Sequence, residues 1–299
     1  MSAFKVKDAG GSTIDMIDVG GFIASKFKPP SGIEKLFDNT PNFKFRDDDV
    51  MLCTYPKTGT HLTFDMLLMI LKKSAAPVQG NKLMPLWQCQ SLDDMNKLPS
   101  PRVINSHNPL RYLPVKGIKE KQIKTVLCCR NPKDTVVSFY NHMRGVKYYS
   151  YDGKWDDWLP LYLEGKLAFG KYSDYLLEWE KAMKGDVGFP LHVVYYEDLQ
   201  LDTHKEMDRL LKFLGVELDD KLKRDIVKEC RFDVMASKPI PKEVVDTYFK
   251  DDFRIFRKGK IGDWKNWFSD KQNAKFDEMW TEEMKDSSFK FIYTDPRAD

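Results

Sequence analysis

The chain of 299 residues lacks the features that would place it at once in several large classes. It has no apolar run of the roughly 20 residues needed to cross a bilayer. Its opening, MSAFKVKDAGGST, has neither the apolar core of a signal peptide nor a lipidation pattern, so a soluble, cytoplasmic protein with no membrane attachment is expected. Cysteine is scarce. Its five residues, at 53, 89, 128, 129 and 230, are odd in number and irregular in spacing, which argues against a disulfide framework and for reduced thiols. Neither C-x-x-C nor a histidine cluster is present to hold zinc. An excess of one charge is also missing. With 48 basic against 45 acidic residues the net charge is +3, which excludes a general polyanion-binding surface, and with it a nucleic-acid partner, but permits local basic pockets. There are no repeats and no low-complexity linkers.

What the chain does have is a series of short apolar runs: VMLCTY (50–55), RVINS (102–106), KTVLCC (124–129) and LHVVYYE (191–197). Runs of this length flanked by turn residues fit strands buried on both faces of a parallel sheet. Helical patterns separate them. HLTFDMLLMILKK (61–73) has helically spaced apolar residues, and NPKDTVVSFYNHMRG opens on Asn131 and Pro132 and closes at Gly145. DTHKEMDRLLKFLG (202–215) offers Asp202 or Thr203 as N-cap and Gly215 beyond its end. The alternation predicts an α/β fold: a central, mostly parallel sheet flanked by helices, with a strand, phosphate loop and helix forming a nucleotide site. A chain this long buries roughly 75% of its unfolded surface, so one domain over residues 1–299 is expected. Residues 1–30 need not be tightly ordered.

Ligands of such folds bind at the carboxyl ends of the strands. That rule selects Tyr55–Thr60, Ser106–His107, Arg130 and Tyr196, which should converge on one crevice. In TYPKTGTH (54–61), Pro56 stiffens the strand exit and Gly59 permits close backbone approach. Lys57, Thr58, Thr60 and His61 add donors to the unpaired N–H groups of the next helix, which together make an anion site. The stretch reads equally as an ordinary strand-to-helix turn. Lys57 precedes the glycine, unlike the lysine of the triphosphate loop, and no acidic metal partner accompanies it, which argues against a magnesium-dependent kinase or hydrolase.

Two further basic stretches stand out. Arg130 ends a strand and Ser138 follows about two helical turns later, an offset that can bring a guanidinium and a hydroxyl to one anion; a surface arginine is the plainer alternative. RKGKIGDWKNWF (257–268) sets Arg257 and Lys258 against Gly259, as in a phosphate-closing segment or a basic surface turn. His107, at the end of RVINSH, is placed to accept a proton near neutral pH, although a lone histidine is more often a structural hydrogen-bonder.

YPKTGT, RNPKDTVVSFY and RKGKIGDWKNWF, in that order and spacing, resemble the cytosolic sulfotransferases from about residue 30 to the end. The resemblance implies sulfuryl transfer from the co-substrate 3′-phosphoadenosine 5′-phosphosulfate (PAPS) to a hydroxyl or amine of a small acceptor, leaving 3′-phosphoadenosine 5′-phosphate (PAP), with no metal. It assigns His107 as the base and Lys57 to the leaving oxygen. Arg130, Ser138, Arg257, Lys258 and Gly259 go to the 3′-phosphate. Ser138 is also expected to bond Lys57 and restrain it. Near the adenine it assigns Leu62, Tyr196, Cys230 and Phe232, though Leu62 stands where the family has a stacking tryptophan, and Cys230 and Arg231 replace a Thr-Ser pair. Asn105 and Ser106 replace Lys-Thr before His107. Acceptor walls are expected around Met84–Trp87, Phe139–Met143, Tyr148–Tyr151 and Tyr248–Phe256, with Asn105, Trp87, Phe139, His142 and Tyr248 as contacts to a lipophilic acceptor. Ser269, Asp270 and Ala274 depart from the family's dimerisation segment, so a monomer or weak dimer is expected. A dehydratase acting through a sulfated intermediate would share these motifs, and a non-catalytic nucleotide binder would keep the phosphate contacts.

Overall fold

The computed structural model describes residues 2–25, 43–77, 92–251 and 253–298. The N-terminal stretch, for which loose order was allowed, forms an antiparallel meander of β1 (Ser2–Lys7), β2 (Thr13–Val19) and β3 (Phe22–Ser25). The strand TIDMIDV alternates apolar and polar residues, and the period of two puts Ile14 and Met16 into the core at 0% exposure.

All four apolar runs form strands: β4 (Val50–Thr54), β5 (Val103–Ser106), β6 (Lys124–Cys129) and β7 (Leu191–Tyr195). They pair in parallel in the order β5-β4-β6-β7. Alternation divides them between two cores. Val50, Leu52, Val126 and Cys128 face one side, where helices α1 (Thr60–Leu71) and Thr203–Leu214 pack. Met51, Cys53, Leu127 and Cys129 face the other, against Pro132–Gly145, Trp155–Leu163 and Tyr172–Lys184, and the N-terminal meander packs on this side through Ile14 and Met16. Burial in these cores raises the thiol pKa of Cys53, Cys128 and Cys129, leaving them un-ionised packing groups.

Pro132–Gly145, here α2, starts as its sequence predicts: the Asn131 side chain accepts the Asp134 N–H at 2.8 Å and Pro132 occupies the first turn. Asp202 caps Thr203–Leu214, and Gly215 follows at φ 67°. The run predicted as strand through residue 197 ends at Tyr195, and Tyr196 opens the short helix Tyr196–Leu201.

Because β5 and β6 lie on opposite sides of β4, the connections leaving β4 and β6 diverge and open a crevice at their carboxyl ends. At the other end of the sheet, fully buried Arg102 forms a bidentate ion pair with Asp49, tying together the starts of β4 and β5. No described helix is long and apolar enough to cross a membrane.

Candidate active site

The loop after β4 turns through two left-handed residues, Lys57 (φ 74°) and Gly59 (φ 116°). Gly59 is required by space as well as conformation: a Cβ there would lie 2.9 Å from Tyr196 Cδ2 and 3.3 Å from Cys128 Sγ. The Thr58 hydroxyl turns inward and donates to the carbonyl oxygens of Tyr55 and Cys128 at 2.8 and 2.9 Å. Its side chain, expected among the anion donors, instead fastens the loop to the end of β6. Thr60 Oγ1 lies 2.9 Å from Thr54 Oγ1. Desolvation, followed by the nearby charges of Arg130 and Arg257, lowers the Lys57 pKa to about 8. Enclosing a third cation beside two others is unfavourable unless an anion joins them.

His107 follows β5, and its Nδ1 lies 2.9 Å from both the carbonyl oxygen and the hydroxyl of Thr54. A carbonyl can only accept, so Nδ1 carries the proton and Nε2 is the basic nitrogen. Desolvation lowers the ring's pKa; the Thr54 bond opposes this and the Lys57 charge adds to it, for a net value of about 4. The imidazole is therefore neutral at pH 7. Asn105 also faces the site, its side-chain oxygen buried without a hydrogen-bond partner among the described residues.

The Arg130 guanidinium lies 4.4 Å from the centre of the Tyr196 ring, and its Nη1 donates to the Lys57 carbonyl at 3.3 Å. Its Nε is buried and has no partner among the described residues, a donor suited to an anion. The expected bond between Lys57 and Ser138 is not formed among the described residues: the Lys57 ammonium lies within the field of Arg130 and Arg257, and Ser138 lines the same cavity without reaching it.

The basic segment is anchored by two carboxylates that the sequence reading passed over. Asp263, 6% exposed, accepts from Arg257 at 2.5 Å, Lys258 at 2.6 Å and Asn266 at 2.9 Å. Burial disfavours its charge, but these bonds outweigh that and hold its pKa at about 2. Asp134, in the first turn of α2, accepts the backbone N–H groups of Gly262 and Trp264 at 2.7 and 2.9 Å. It thereby fixes the basic segment to the helix that carries Ser138. Gly259 (φ 62°) lies flush on Phe232, 2.0 Å from its Cδ2 to where a Cβ would stand.

Of the residues expected at the site, Pro56, Lys57, Gly59, Thr60, His61, Leu62, Asn105, His107, Arg130, Ser138, His142, Tyr196, Cys230, Phe232, Tyr248, Arg257, Lys258 and Gly259 line one continuous cavity of about 620 Å³, whereas Tyr55, Thr58 and Ser106 are fully buried beneath it. Phe139 is buried in the core and instead supports the His142 ring, 6.4 Å away and nearly parallel. Met84–Trp87 lie outside the described residues. The cavity's polar end holds Lys57, Arg130, Ser138 and the 257–259 segment. Its aromatic end is formed by Tyr148, Tyr149, Phe249 and Phe253, together with Phe22 and Phe169, which the sequence reading missed. Phe22 comes from β3 of the N-terminal meander, where short alternating strands were the available signal. His107 stands at the aromatic end's border, 5.8 Å from the Phe169 ring.

A phosphate-type loop at the switch point of a parallel sheet, faced by a second basic segment, defines a nucleotide-binding α/β protein. Comparison with known proteins narrows this. A sulfotransferase domain matches residues 47–288. Sulfotransferase 1E1 of Bos taurus is 32% identical over 273 residues, covering 85% of this chain and 90% of that protein. Sulfotransferase 1A1 of Mus musculus is 32% identical, with 84% and 89% covered. The crystal structure of mouse sulfotransferase SULT7A1 complexed with PAP superposes with a TM-score of 0.76 at 29% identity, covering 91% of this chain and 96% of that one. The chain belongs to the sulfotransferase family.

Proposed function

We propose that this protein transfers the sulfuryl group of PAPS to a hydroxyl of a small, lipophilic acceptor, with His107 as general base. The observation that carries this reading is the Nδ1 bond of His107 to the Thr54 carbonyl, which leaves Nε2 as the basic nitrogen of a ring that desolvation keeps neutral, in the cavity that also holds Lys57. The residues fit the nucleotide. Arg130 offers a buried, unpartnered donor, and Gly59 and Gly259 allow backbone approach where no side chain fits.

Bound PAPS supplies an activated sulfuryl group attached to a phosphate leaving group. His107 Nε2 takes the acceptor hydroxyl proton, and Lys57 holds positive charge where the departing phosphate oxygen gains negative charge. Arg130, Ser138, Arg257 and Lys258 hold the 3′-phosphate, with Asp263 and Asp134 orienting the last two. Phe232 frames the adenine beside Gly259. The aromatic end of the cavity encloses the acceptor and excludes water. In solution a monomer or weak dimer is expected, because Ser269 caps the Asp270–Glu283 helix in a capping box with Gln272 and Asp270 places an acid in its first turn.

Calorimetric titration with PAP, AMP and ATP in the absence of magnesium tests the nucleotide assignment. Tight binding of PAP alone is expected; equal or preferred ATP binding would refute it. His107→Ala should cost turnover about 10²–10⁴-fold while PAP binding persists. Loss of both together would remove His107 from the role of base.

A further inference from the structure

His142 lies one helical turn beyond Ser138 on α2, so the two side chains share a face of the helix and line the same cavity. Ser138 serves the nucleotide end, whereas His142 sits among aromatic rings. Phe139 is nearly parallel to it at 6.4 Å, and Tyr149 and Phe253 approach edgewise at 5.8 and 6.1 Å. Its Nδ1 is buried and has no hydrogen-bond partner among the described residues. An apolar wall would be better filled by another phenyl ring, because a buried polar atom left unpaired is destabilising.

We propose that His142 is a specificity-determining contact for a second, neutral hydrogen-bonding group on the acceptor, a hydroxyl or carbonyl remote from the hydroxyl presented to His107. This rests on the sulfotransferase reading and narrows its substrate class from any lipophilic alcohol to a bifunctional one. Desolvation, with Lys57, His107 and His61 nearby, holds the His142 ring neutral by lowering its pKa well below the usual value. A neutral imidazole presents one donor and one acceptor, so it can pair with a hydroxyl in either direction. It cannot neutralise a carboxylate, and the cations at the other end of the cavity disfavour an ammonium.

The test uses PAP-saturated protein and calorimetric binding of matched phenols: 4-(hydroxyalkyl)phenols with one to three methylenes, each against the 4-alkylphenol of equal length. Wild-type protein should prefer the hydroxylated member at one spacer length by about tenfold to a hundredfold, the value of one satisfied buried polar group. His142→Phe should abolish that preference without changing the affinity for PAP, and His142→Gln should restore part of it. A wild-type protein that gains nothing from the hydroxyl at any spacer length would overturn the inference. So would a preference that survives in His142→Phe, or one that His142→Gln fails to restore. If PAP itself does not bind, the sulfotransferase reading falls and takes this inference with it; if PAP binds and the preference does not behave as described, only the inference falls.

Discussion

The lowered pKa of Lys57 makes nucleotide binding depend on pH in a defined direction. A fall from 10.5 to about 8 means that about 3 kcal/mol disfavours the free ammonium, owing to desolvation and to Arg130 and Arg257. An anionic phosphate beside it reverses much of that penalty. One charge-assisted hydrogen bond contributes about 1.5–3 kcal/mol, equivalent to raising the bound lysine's pKa by about 1–2. The protonated form is thus favoured in the complex, so affinity is full below about pH 8 and is lost above it. Between pH 8 and 10 the Kd for PAP should rise by about fivefold to thirtyfold. The phosphates of PAP are already fully ionised there, their second pKa lying near about 6. The assay is calorimetry at pH 7, 8, 9 and 10 in buffers of different ionisation enthalpy. At pH 9 about nine-tenths of Lys57 is neutral in the free protein and about half to nine-tenths is protonated in the complex, so binding should take up about 0.4–0.8 of a proton. Lys57→Arg, whose guanidinium stays charged, should show no pH dependence over this range and no proton uptake, whatever its affinity. A flat profile in the wild type, or the same slope in Lys57→Arg, would refute the placement of Lys57 against the phosphate.

Replacing Arg257 and Lys258 together by alanine should weaken PAP by about 10²–10⁴-fold, two charge-assisted bonds' worth, with little effect on AMP; comparing the two titrations checks it. Gly259→Ala puts a Cβ into Phe232 at a left-handed φ, and a cost of about 1–3 kcal/mol should appear as weaker PAP binding rather than as lost secondary structure by circular dichroism. Arg102→Met strands the buried Asp49 carboxylate and should lower stability by about 3–5 kcal/mol in urea unfolding, while PAP affinity measured on the folded protein stays unchanged because the pair lies at the far end of the sheet.

Much of the site was legible because parallel sheets constrain where ligands bind. Once VMLCT and KTVLCC are strands, Lys57 and Arg130 must lie at their carboxyl ends, and the structure places both there. Helix boundaries were legible where a cap was local, as with Asn131 and Asp202. Contacts between distant segments were not. Asp263 is part of the quoted segment RKGKIGD, yet nothing local says that it neutralises Arg257 and Lys258 rather than facing water. Asp134 sits in the motif RNPKD, but its partners Gly262 and Trp264 are 128 and 130 residues away. Phe139 and His142 are only three positions apart on one helix, and packing alone sends the first into the core and the second to the cavity.

The sequence by itself determined the four parallel strands, the helices that follow three of them, the anion loop, the basic segment and the family, because each is written in local spacing and residue type. The tertiary structure decided their chemical states. Whether Lys57 holds its proton, which nitrogen of His107 is basic and whether His142 has a partner depend on desolvation and on neighbours brought together from distant parts of the chain. Thr54, which fixes the His107 tautomer, is 53 residues away. Solvation and Coulomb interactions act through space, so no reading of nearest neighbours along the chain could supply them.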